Sequence, residues 1–193
     1  MGAHPLRYRP GMPRNRQDVD RDAKIAEIRE AAVGLLRAGG YPALSHSAVA
    51  KELGLARTAV AWYFASKDDL FAAALADIYA ADLGTPPADG DVMVRLRWAV
   101  ERLTALQPLT HALHERARHS PAAAELEAAL QNSLCTRLRA LLAPHVAADR
   151  LDRVTTTVVV FVEGLLVQPR TTPDRLGLLE FLVTELIGTP GRS

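Results

Sequence analysis

The stretch that decides the fold runs from Gly40 to Leu70 and reads GYPALSHSAVAKELGLARTAVAWYFASKDDL. It contains two short segments with helical apolar spacing, one from Ser45 to Gly54 and one over about residues 57–64. A glycine between them can adopt the left-handed backbone of a tight turn at little steric cost. The pattern predicts a helix-turn-helix, in which two short helices pack around a small apolar core.

The second short helix carries side chains suited to reading DNA bases. Its outward face is predicted to hold Arg57, Thr58, Ala61 and Trp62. Arginine can pair with guanine through two hydrogen bonds, and threonine can donate, accept or touch a thymine methyl group. The spacing alone does not separate a DNA reader from another helix hairpin with a glycine corner.

A longer helix is predicted to begin after this pair. Ser66 and Asp69, three residues apart, match a capping box, which is a helix-start signal. Lys67 then lies in the first turn, where a cation is disfavoured by the helix dipole. A phosphate bound there would satisfy both the lysine and the free backbone N–H groups. We therefore predict a phosphate contact for Lys67; the alternative is a solvated lysine.

A longer set of residue types across this region is more specific than the spacing. The set is Gly40-Tyr41, Ser45, Val49-Ala50, Gly54-Leu55, Trp62-Tyr63-Phe64, Ser66-Lys67 and Leu70. Together they closely resemble the DNA-binding domain of the tetracycline-repressor (TetR) family, over about residues 23–72. The resemblance implies an all-α protein with a three-helix head, a fourth linking helix and a variable helical domain for ligand binding and dimerisation.

The resemblance also implies which residues contact DNA. They are Ser45, Ser47, Arg57, Thr58, Trp62, Tyr63 and Lys67. The two serines lie where the supporting helix meets the DNA backbone, the next three positions face the bases or the groove, and the last two contact phosphates. The implied partner is double-stranded DNA with a palindromic operator, because paired heads of a dimer read two half-sites about one helical turn apart.

Two residues depart from the family pattern. Ala61 stands where the family usually has a phosphate-contacting tyrosine, and Ala56 stands where a helix-capping side chain is usual. Loss of such a cap costs about 1 kcal/mol. Trp62 either replaces the missing contact through its N–H and ring or packs on the head. These departures leave a second interpretation open, a protein-binding helical module with a degenerate DNA head.

Charge is divided unevenly along the chain. Residues 1–67 contain 11 Lys and Arg against 6 Asp and Glu, a balance of +5, whereas residues 68–193 contain 12 against 16, a balance of −4. A basic first third indicates that one end meets a polyanion. Chance clustering together with a basic tail is the other interpretation.

Glycines and prolines divide the chain into three predicted parts. These are a disordered basic arm over residues 1–22, the head with its linking helix over 23–83, and a ligand-binding and dimerisation domain over 91–188, with the linker at 84–90. The first helix is predicted to begin at Ala23 and to stop at Gly39-Gly40. The arm either enters an adjacent minor groove or has no function, and its aspartates favour the second.

Four or five helices are predicted after the linker. Residues 155–162 read TTTVVVFV, which also suits a buried strand. A helical apolar stripe nevertheless continues through them, and a lone strand would have no partner, so we predict a helix.

The last two helices, at about 148–168 and 173–187, are predicted to form a homodimer. The family resemblance of Glu163-Gly164-Leu165 supports this expectation.

The earlier helices of this domain, over about residues 91–143, are expected to enclose an apolar cavity for a small effector. The candidate lining residues are Trp98, Leu103, Leu106, Gln107, Thr110, His111, His114, Cys135, Phe161 and Gln168. Ordinary core packing is the alternative for each. His111, His114 and His119 lack the spacing of a zinc site, so no metal or cofactor is predicted.

These features predict a ligand-responsive regulator, most simply a repressor released by a small hydrophobic ligand. An enzyme is not expected, because the chain has no nucleophile elbow, Walker loop or dinucleotide-binding glycine pattern. No apolar run of about eighteen residues is present. Cys135 is the only cysteine and the N-terminus is arginine-rich, which favours the cytoplasm over secretion.

Overall fold

The computed structural model of this chain describes residues 16–87, 90–168 and 170–187. Within these ranges the secondary structure is entirely α-helical, which confirms the predicted fold class. The described residues form nine helices, which are α1 (Arg16–Ala43), α2 (His46–Leu53), α3 (Arg57–Tyr63), α4 (Lys67–Leu83), α5 (Val92–Ala105), α6 (Gln107–Ala117), α7 (Pro121–Leu142), α8 (Ala148–Val167) and α9 (Thr172–Ile187).

Helix α1 begins at Arg16, seven residues before the predicted start at Ala23. The added residues read RQDVDRD, in which Val19 is the one apolar residue, so apolar periodicity could not detect these turns. The predicted stop at Gly39-Gly40 is confirmed, because neither glycine has helical dihedral angles and Gly40 has a φ of 65°. The rest of the predicted arm, residues 1–15, lies outside the described ranges.

Helices α1 to α4 share one apolar core. Ile28, Ala32 and Leu36 recur along one side of α1 and are buried. Val60 of α3 and Phe71 of α4 are fully buried in the same cluster. This core holds the two short helices in place, because helices of seven or eight residues are not stable alone.

Polar contacts fix α4 against its neighbours near its C-terminal end. Arg37 of α1 donates to both carboxylate oxygens of Asp82, at 2.7 and 3.1 Å. Arg102 of α5 donates to the backbone carbonyl oxygen of Asp82 at 2.9 Å. About two turns earlier on α1, Arg29 forms an ion pair with Asp77. Helix α4 is therefore tied to both α1 and α5.

Helices α5 to α9 pack as a second bundle. Residues 155–162 lie within α8, which confirms the helix prediction over the strand alternative. Val154, Val158 and Val162 are buried along one side of it. The hydroxyl group of Thr155, also buried, donates to the carbonyl oxygen of Leu151 at 2.8 Å, so its burial leaves no unpaired donor. No helix in the described ranges is long and apolar enough to cross a bilayer.

Candidate nucleic-acid interface

The turn between α2 and α3 has the geometry that the sequence predicts. Ser45 caps α2, and its hydroxyl oxygen accepts a hydrogen bond from the backbone N–H of Ala48 at 3.0 Å. Gly54 ends the helix with φ 64° and ψ 28°, a left-handed conformation that disfavours a side chain. The backbone N–H of Leu55 then donates to the carbonyl oxygen of Ala50 at 2.8 Å, which closes the turn.

Helix α3 is held at its C-terminal end and through its buried side. At its start, Ala56 provides no side-chain cap, because a methyl group cannot accept a hydrogen bond. At its end, the Nε2 atom of His46 lies 2.8 Å from the carbonyl oxygen of Phe64, which links the end of α3 to the first residue of α2. Val60 is fully buried between them. The orientation of α3 therefore depends on this core and on the His46 contact.

The opposite side of α3 is open to solvent. Arg57 and Thr58, in the first turn, are both exposed, and Trp62 is 69% exposed. The Trp62 ring meets the edge of the half-buried Tyr63 ring, with centroids 4.7 Å apart and an interplanar angle of 90°. The guanidinium carbon of Arg21, on α1, lies 5.6 Å from the Trp62 ring centroid. The three base-reading candidates thus share an accessible surface.

The supporting serines occupy the first turn of α2. Ser47 is exposed, whereas Ser45 is half-buried with its oxygen engaged in the cap. The Ser45 hydroxyl group still has a hydrogen to donate, so capping does not prevent a phosphate contact.

Helix α4 begins beside this surface with the predicted capping box. The Ser66 oxygen accepts from the Asp69 backbone N–H at 3.0 Å, and the Asp69 carboxylate accepts from the Ser66 backbone N–H at 2.8 Å. Lys67 follows, with its Nζ atom 3.8 Å from the centroid of the Tyr41 ring. Burial lowers the pKa of Lys67 from its ordinary value.

A buried carboxylate connects this helix start to the second bundle. Asp68 is 8% exposed and accepts a hydrogen bond from the Tyr41 hydroxyl group at 2.7 Å. Arg116 of α6 donates to the same carboxylate, from Nε to Oδ1 at 3.1 Å and from Nη2 to Oδ2 at 2.7 Å. We call Tyr41, Lys67, Asp68 and Arg116 the Asp68 cluster. Sequence reasoning missed it because its members are up to 75 residues apart in the chain.

The cluster shifts the ionisation of its members. Burial and the hydrogen bond to Asp68 raise the pKa of Tyr41 to about 12. Burial opposes ionisation of Asp68, but the hydrogen bonds from Arg116 and Tyr41 outweigh it and lower the pKa of this carboxyl group. At neutral pH the cluster therefore contains one carboxylate, two cations and a neutral tyrosine.

The family model of bacterial regulatory proteins of the tetR family matches residues 28–74, which run from the middle of α1 to the middle of α4. Residues 28–74 therefore form a head of the tetR-family type. A head of this family makes the chain a DNA-binding transcriptional regulator. Arg21, which lies over the Trp62 ring, is outside the matched residues. No curated protein sequence matches the chain significantly.

Solved structures with the same fold cover most of the chain. A transcriptional regulator from Rhodococcus sp. Rha1 has a TM-score of 0.68 and 22% identity, over 86% of this chain and 99% of its own. The multidrug binding protein EbrR complexed with proflavin has a TM-score of 0.59 and 23% identity, over 82% and 99%. A Saccharomonospora viridis protein, assigned as a transcriptional regulator and solved with choline, has a TM-score of 0.59 and 18% identity, over 84% and 96%.

The effector-site candidates divide into two groups. His111, His114 and Cys135 are exposed, and His114 Nδ1 lies 2.9 Å from a carboxylate oxygen of Glu127. They lie on the outer faces of α6 and α7. The remaining candidates are buried or half-buried, apart from the exposed Gln168: Trp98, Leu103, Leu106, Gln107, Thr110 and Phe161.

Polar contacts among the inner candidates centre on a residue that the sequence analysis did not select. Arg175 of α9 is only 3% exposed and donates to the side-chain oxygens of Gln107, at 3.0 Å, and Thr104, at 3.2 Å. It also donates to the carbonyl oxygens of Leu165 and Gln168 near the end of α8. Arg175 thereby joins α5, α6, α8 and α9 and satisfies carbonyl groups that the helix end leaves free.

Thr110 occupies a second polar position in the interior. Its hydroxyl group lies 2.5 Å from the hydroxyl group of Tyr79, on α4. Two grooves of the described surface lie elsewhere, one between α1 and α4 around Arg29 and Asp77, and one around Asp82 and Arg102. Neither groove includes an effector-site candidate.

Proposed function

We propose that this regulator is a dimeric repressor that binds a palindromic operator and is released by a small hydrophobic ligand. The observation that carries the proposal is the open surface formed by Arg57, Thr58 and Trp62 of α3 beside Lys67 of α4. Arg57 and Thr58 supply donors and acceptors for base edges. Lys67 and the capped start of α4 supply a phosphate site. Base contacts then specify the sequence, and phosphate contacts fix the register.

An apolar face on the last two helices supports dimerisation. Val160 and Val167 of α8 are 61% and 64% exposed, and Phe181 of α9 is 66% exposed. Gly164 and Gly177 lie on the same two helices, and an added Cβ atom at either would meet no atom within 4 Å. Large exposed apolar side chains beside glycines favour close approach of a second copy of the chain. Two α8 and two α9 helices would then meet across a two-fold axis.

The effector is proposed to bind among the inner candidates Leu103, Gln107, Thr110 and Phe161. Gln107 and Thr110 offer polar groups in apolar surroundings, which suits a hydrophobic ligand with a few polar atoms. The proflavin and choline complexes of the structural neighbours show that this fold accommodates small molecules in those proteins. His111, His114 and Cys135 stay secondary candidates, because their exposure fits an inner cavity poorly.

Release requires the effector to favour a conformation that does not bind the operator. The Asp68 cluster supplies a physical connection, since Arg116 lies on the same helix as Gln107 and Thr110. A shift of α6 would alter the Arg116–Asp68 ion pair and, with it, the start of α4. We propose that the head docks on DNA while this ion pair is intact.

We propose no catalytic activity, because the described site is a DNA-binding face rather than a set of reacting groups. DNA as the partner favours a cytoplasmic location. The experiment that tests the proposal is selection of bound duplexes from a random library, with the purified full-length chain at moderate salt. We expect a palindrome with half-sites about one helical turn apart.

Sequence-blind recovery would contradict the proposal. It would favour the protein-binding alternative, for which the missing side-chain cap at Ala56 is the supporting observation. A library of apolar and aromatic compounds, added to the complex with the selected duplex, then tests release.

A further inference from the structure

We propose that Arg21, together with Trp62, forms a part of the DNA interface that lies outside the helix-turn-helix. In this inference Arg21 binds a backbone phosphate at the flank of each half-site, and the Trp62 ring orients its guanidinium group. The inference rests on the proposed operator binding. Its geometric basis is the 5.6 Å separation between the Arg21 guanidinium carbon and the Trp62 ring centroid.

The position of Arg21 on α1 explains why it reaches α3. The buried side of α1 carries Ile25, Ile28 and Ala32, at helical spacing. Arg21 lies four residues before Ile25, so it continues this side one turn beyond the apolar core. Its neighbours Asp20 and Asp22 are displaced by about 100° around the helix axis on either side. Arg21 therefore projects toward α3, whereas the flanking aspartates point elsewhere.

Trp62 is an unusual residue for a free surface. Trp62 is 69% exposed, on a helix whose other large apolar residues are the buried Val60 and the half-buried Tyr63. Two contacts hold the ring, the edge of Tyr63 on one side and Arg21 at cation–π distance. A cation–π contact at an exposed site contributes only about 0.5–1 kcal/mol. Fold stability alone gives little reason to keep so large an apolar side chain exposed, whereas a base or sugar surface would cover it.

The chemistry of the pair matches the edge of a DNA groove. Arginine binds phosphate through two parallel hydrogen bonds, and its planar group stacks on an aromatic ring at the same time. A cation–π contact with Trp62 uses none of the guanidinium N–H donors as hydrogen bonds, so they can meet a phosphate oxygen. Arg57 and Thr58 of the same α3 helix read bases, so a phosphate bound by Arg21 lies beside those bases on the DNA backbone.

The test is the salt dependence of binding to a fluorescein-labelled duplex that carries the selected palindrome, measured by anisotropy with the full-length chain. Arg21→Ala should flatten the slope of log K against log salt concentration by about one unit per head. Arg21→Lys should retain the slope. Trp62→Ala should weaken binding and lose part of the slope, because Arg21 is no longer oriented, whereas Trp62→Phe should retain most of it.

A matched control exists in the second bundle. Arg102 also lies over a tryptophan, with its guanidinium carbon 5.2 Å from the Trp98 ring centroid, but it contacts the far end of α4. That end is about 25 Å from Lys67. Arg102→Ala removes a stacked arginine without removing a DNA contact, so its salt slope should equal that of the parent.

Lys67→Ala separates failure of this inference from failure of the proposed function. If Lys67→Ala flattens the slope and Arg21→Ala does not, the head docks as proposed and the role of Arg21 is wrong. If neither changes the slope, the docking itself is wrong.

Phosphate-ethylation interference gives a positional readout. Arg21→Ala should lose one interfering phosphate at the edge of each half-site, different from the one lost in Lys67→Ala. Loss of the same phosphate in both would overturn the assignment.

Discussion

Arg116 of α6 donates hydrogen bonds to both carboxylate oxygens of Asp68, the second residue of α4, and so joins the two helical bundles beside a DNA-contact candidate. Asp68 in turn accepts from Tyr41, whose ring lies under Lys67. A change in α6 can therefore reach the N-terminus of α4 through four side chains in direct contact. Coupling between distant sites requires such a physical element whose arrangement both sites influence.

Arg116→Gln is expected to lower both the melting temperature and operator affinity. The variant leaves Asp68 without its cationic partner while its carboxylate stays largely buried, and an unpaired buried charge is unfavourable. The measurements are thermal denaturation and anisotropy with the selected duplex. Arg139→Gln is the matched control, since Arg139 pairs with Asp152 at side-chain exposures of 54% and 81%, and exposed pairs contribute little. Equal effects of the two variants would contradict a structural role for Arg116.

Tyr41 is expected to make the stability of the chain depend on pH at alkaline values. Its pKa in the folded state is about 12, against about 10 for an unfolded tyrosine. The unfolded chain therefore loses this proton first as the pH rises. The stabilising contribution of Tyr41 is complete below pH 10 and is lost between about pH 10 and 12. Urea denaturation over this range should show a smaller decline for Tyr41→Phe than for the parent; parallel curves would contradict the shifted pKa.

Arg57→Ala and Lys67→Ala are expected to affect DNA binding in different ways. Loss of Arg57 should relax the preference at one base position and cost about 1–3 kcal/mol there. Loss of Lys67 should weaken all sequences alike and flatten the salt slope by about one unit per head. Competition binding with single-base variants of the selected duplex distinguishes these outcomes. The placement of α3 is wrong if both variants bind like the parent.

Ala56→Ser is expected to stabilise the head. Ala56 has φ −74° and ψ 143°, the extended backbone that a capping residue adopts, but its methyl group cannot accept a hydrogen bond. A serine oxygen there can accept from a backbone N–H in the first turn of α3 and should add about 1 kcal/mol to the free energy of unfolding. Chemical denaturation measures the gain. Ala65→Ser, at an exposed position that caps no helix, should leave stability unchanged.

Phe181→Glu is expected to convert the proposed dimer to a monomer. The substitution places a carboxylate on the apolar face of α8 and α9, where two copies would bring like charges together. Sedimentation velocity should report half the mass, with helix content retained. Val94→Glu on α5 is the control, because Val94 is a further large apolar residue that is exposed, at 45%. A dimer that survives Phe181→Glu and dissociates with Val94→Glu would move the interface to α5.

The head could be predicted from the sequence because its signals are local. Ser45, Gly54 and the Ser66–Asp69 capping box each determine a helix end through backbone chemistry within a few residues. The start of α1 at Arg16 was not predicted, because the added turns carry charged residues on every side and lack an apolar stripe.

The contacts between bundles could not be predicted in the same way. Arg116 is 48 residues from Asp68, and nothing in the local pattern of either helix specifies the other. Arg175 resembles an ordinary surface arginine in sequence, and only the packing of four helices buries it. The sequence likewise does not show which side of α6 faces inward, so His111 and His114 were grouped with the inward-facing Thr110.

The polar ties at both ends of α4 limit how this head can be exchanged between proteins. Asp68 at the first turn depends on Arg116, and Asp82 at the last turn depends on Arg37 and Arg102. A chimera joined in the 84–90 linker would keep Arg37 but would separate α4 from both partners in the second bundle. Grafting this DNA specificity onto another sensor domain therefore requires transplanting Arg102 and Arg116 with the head, or rebuilding equivalent donors on the host.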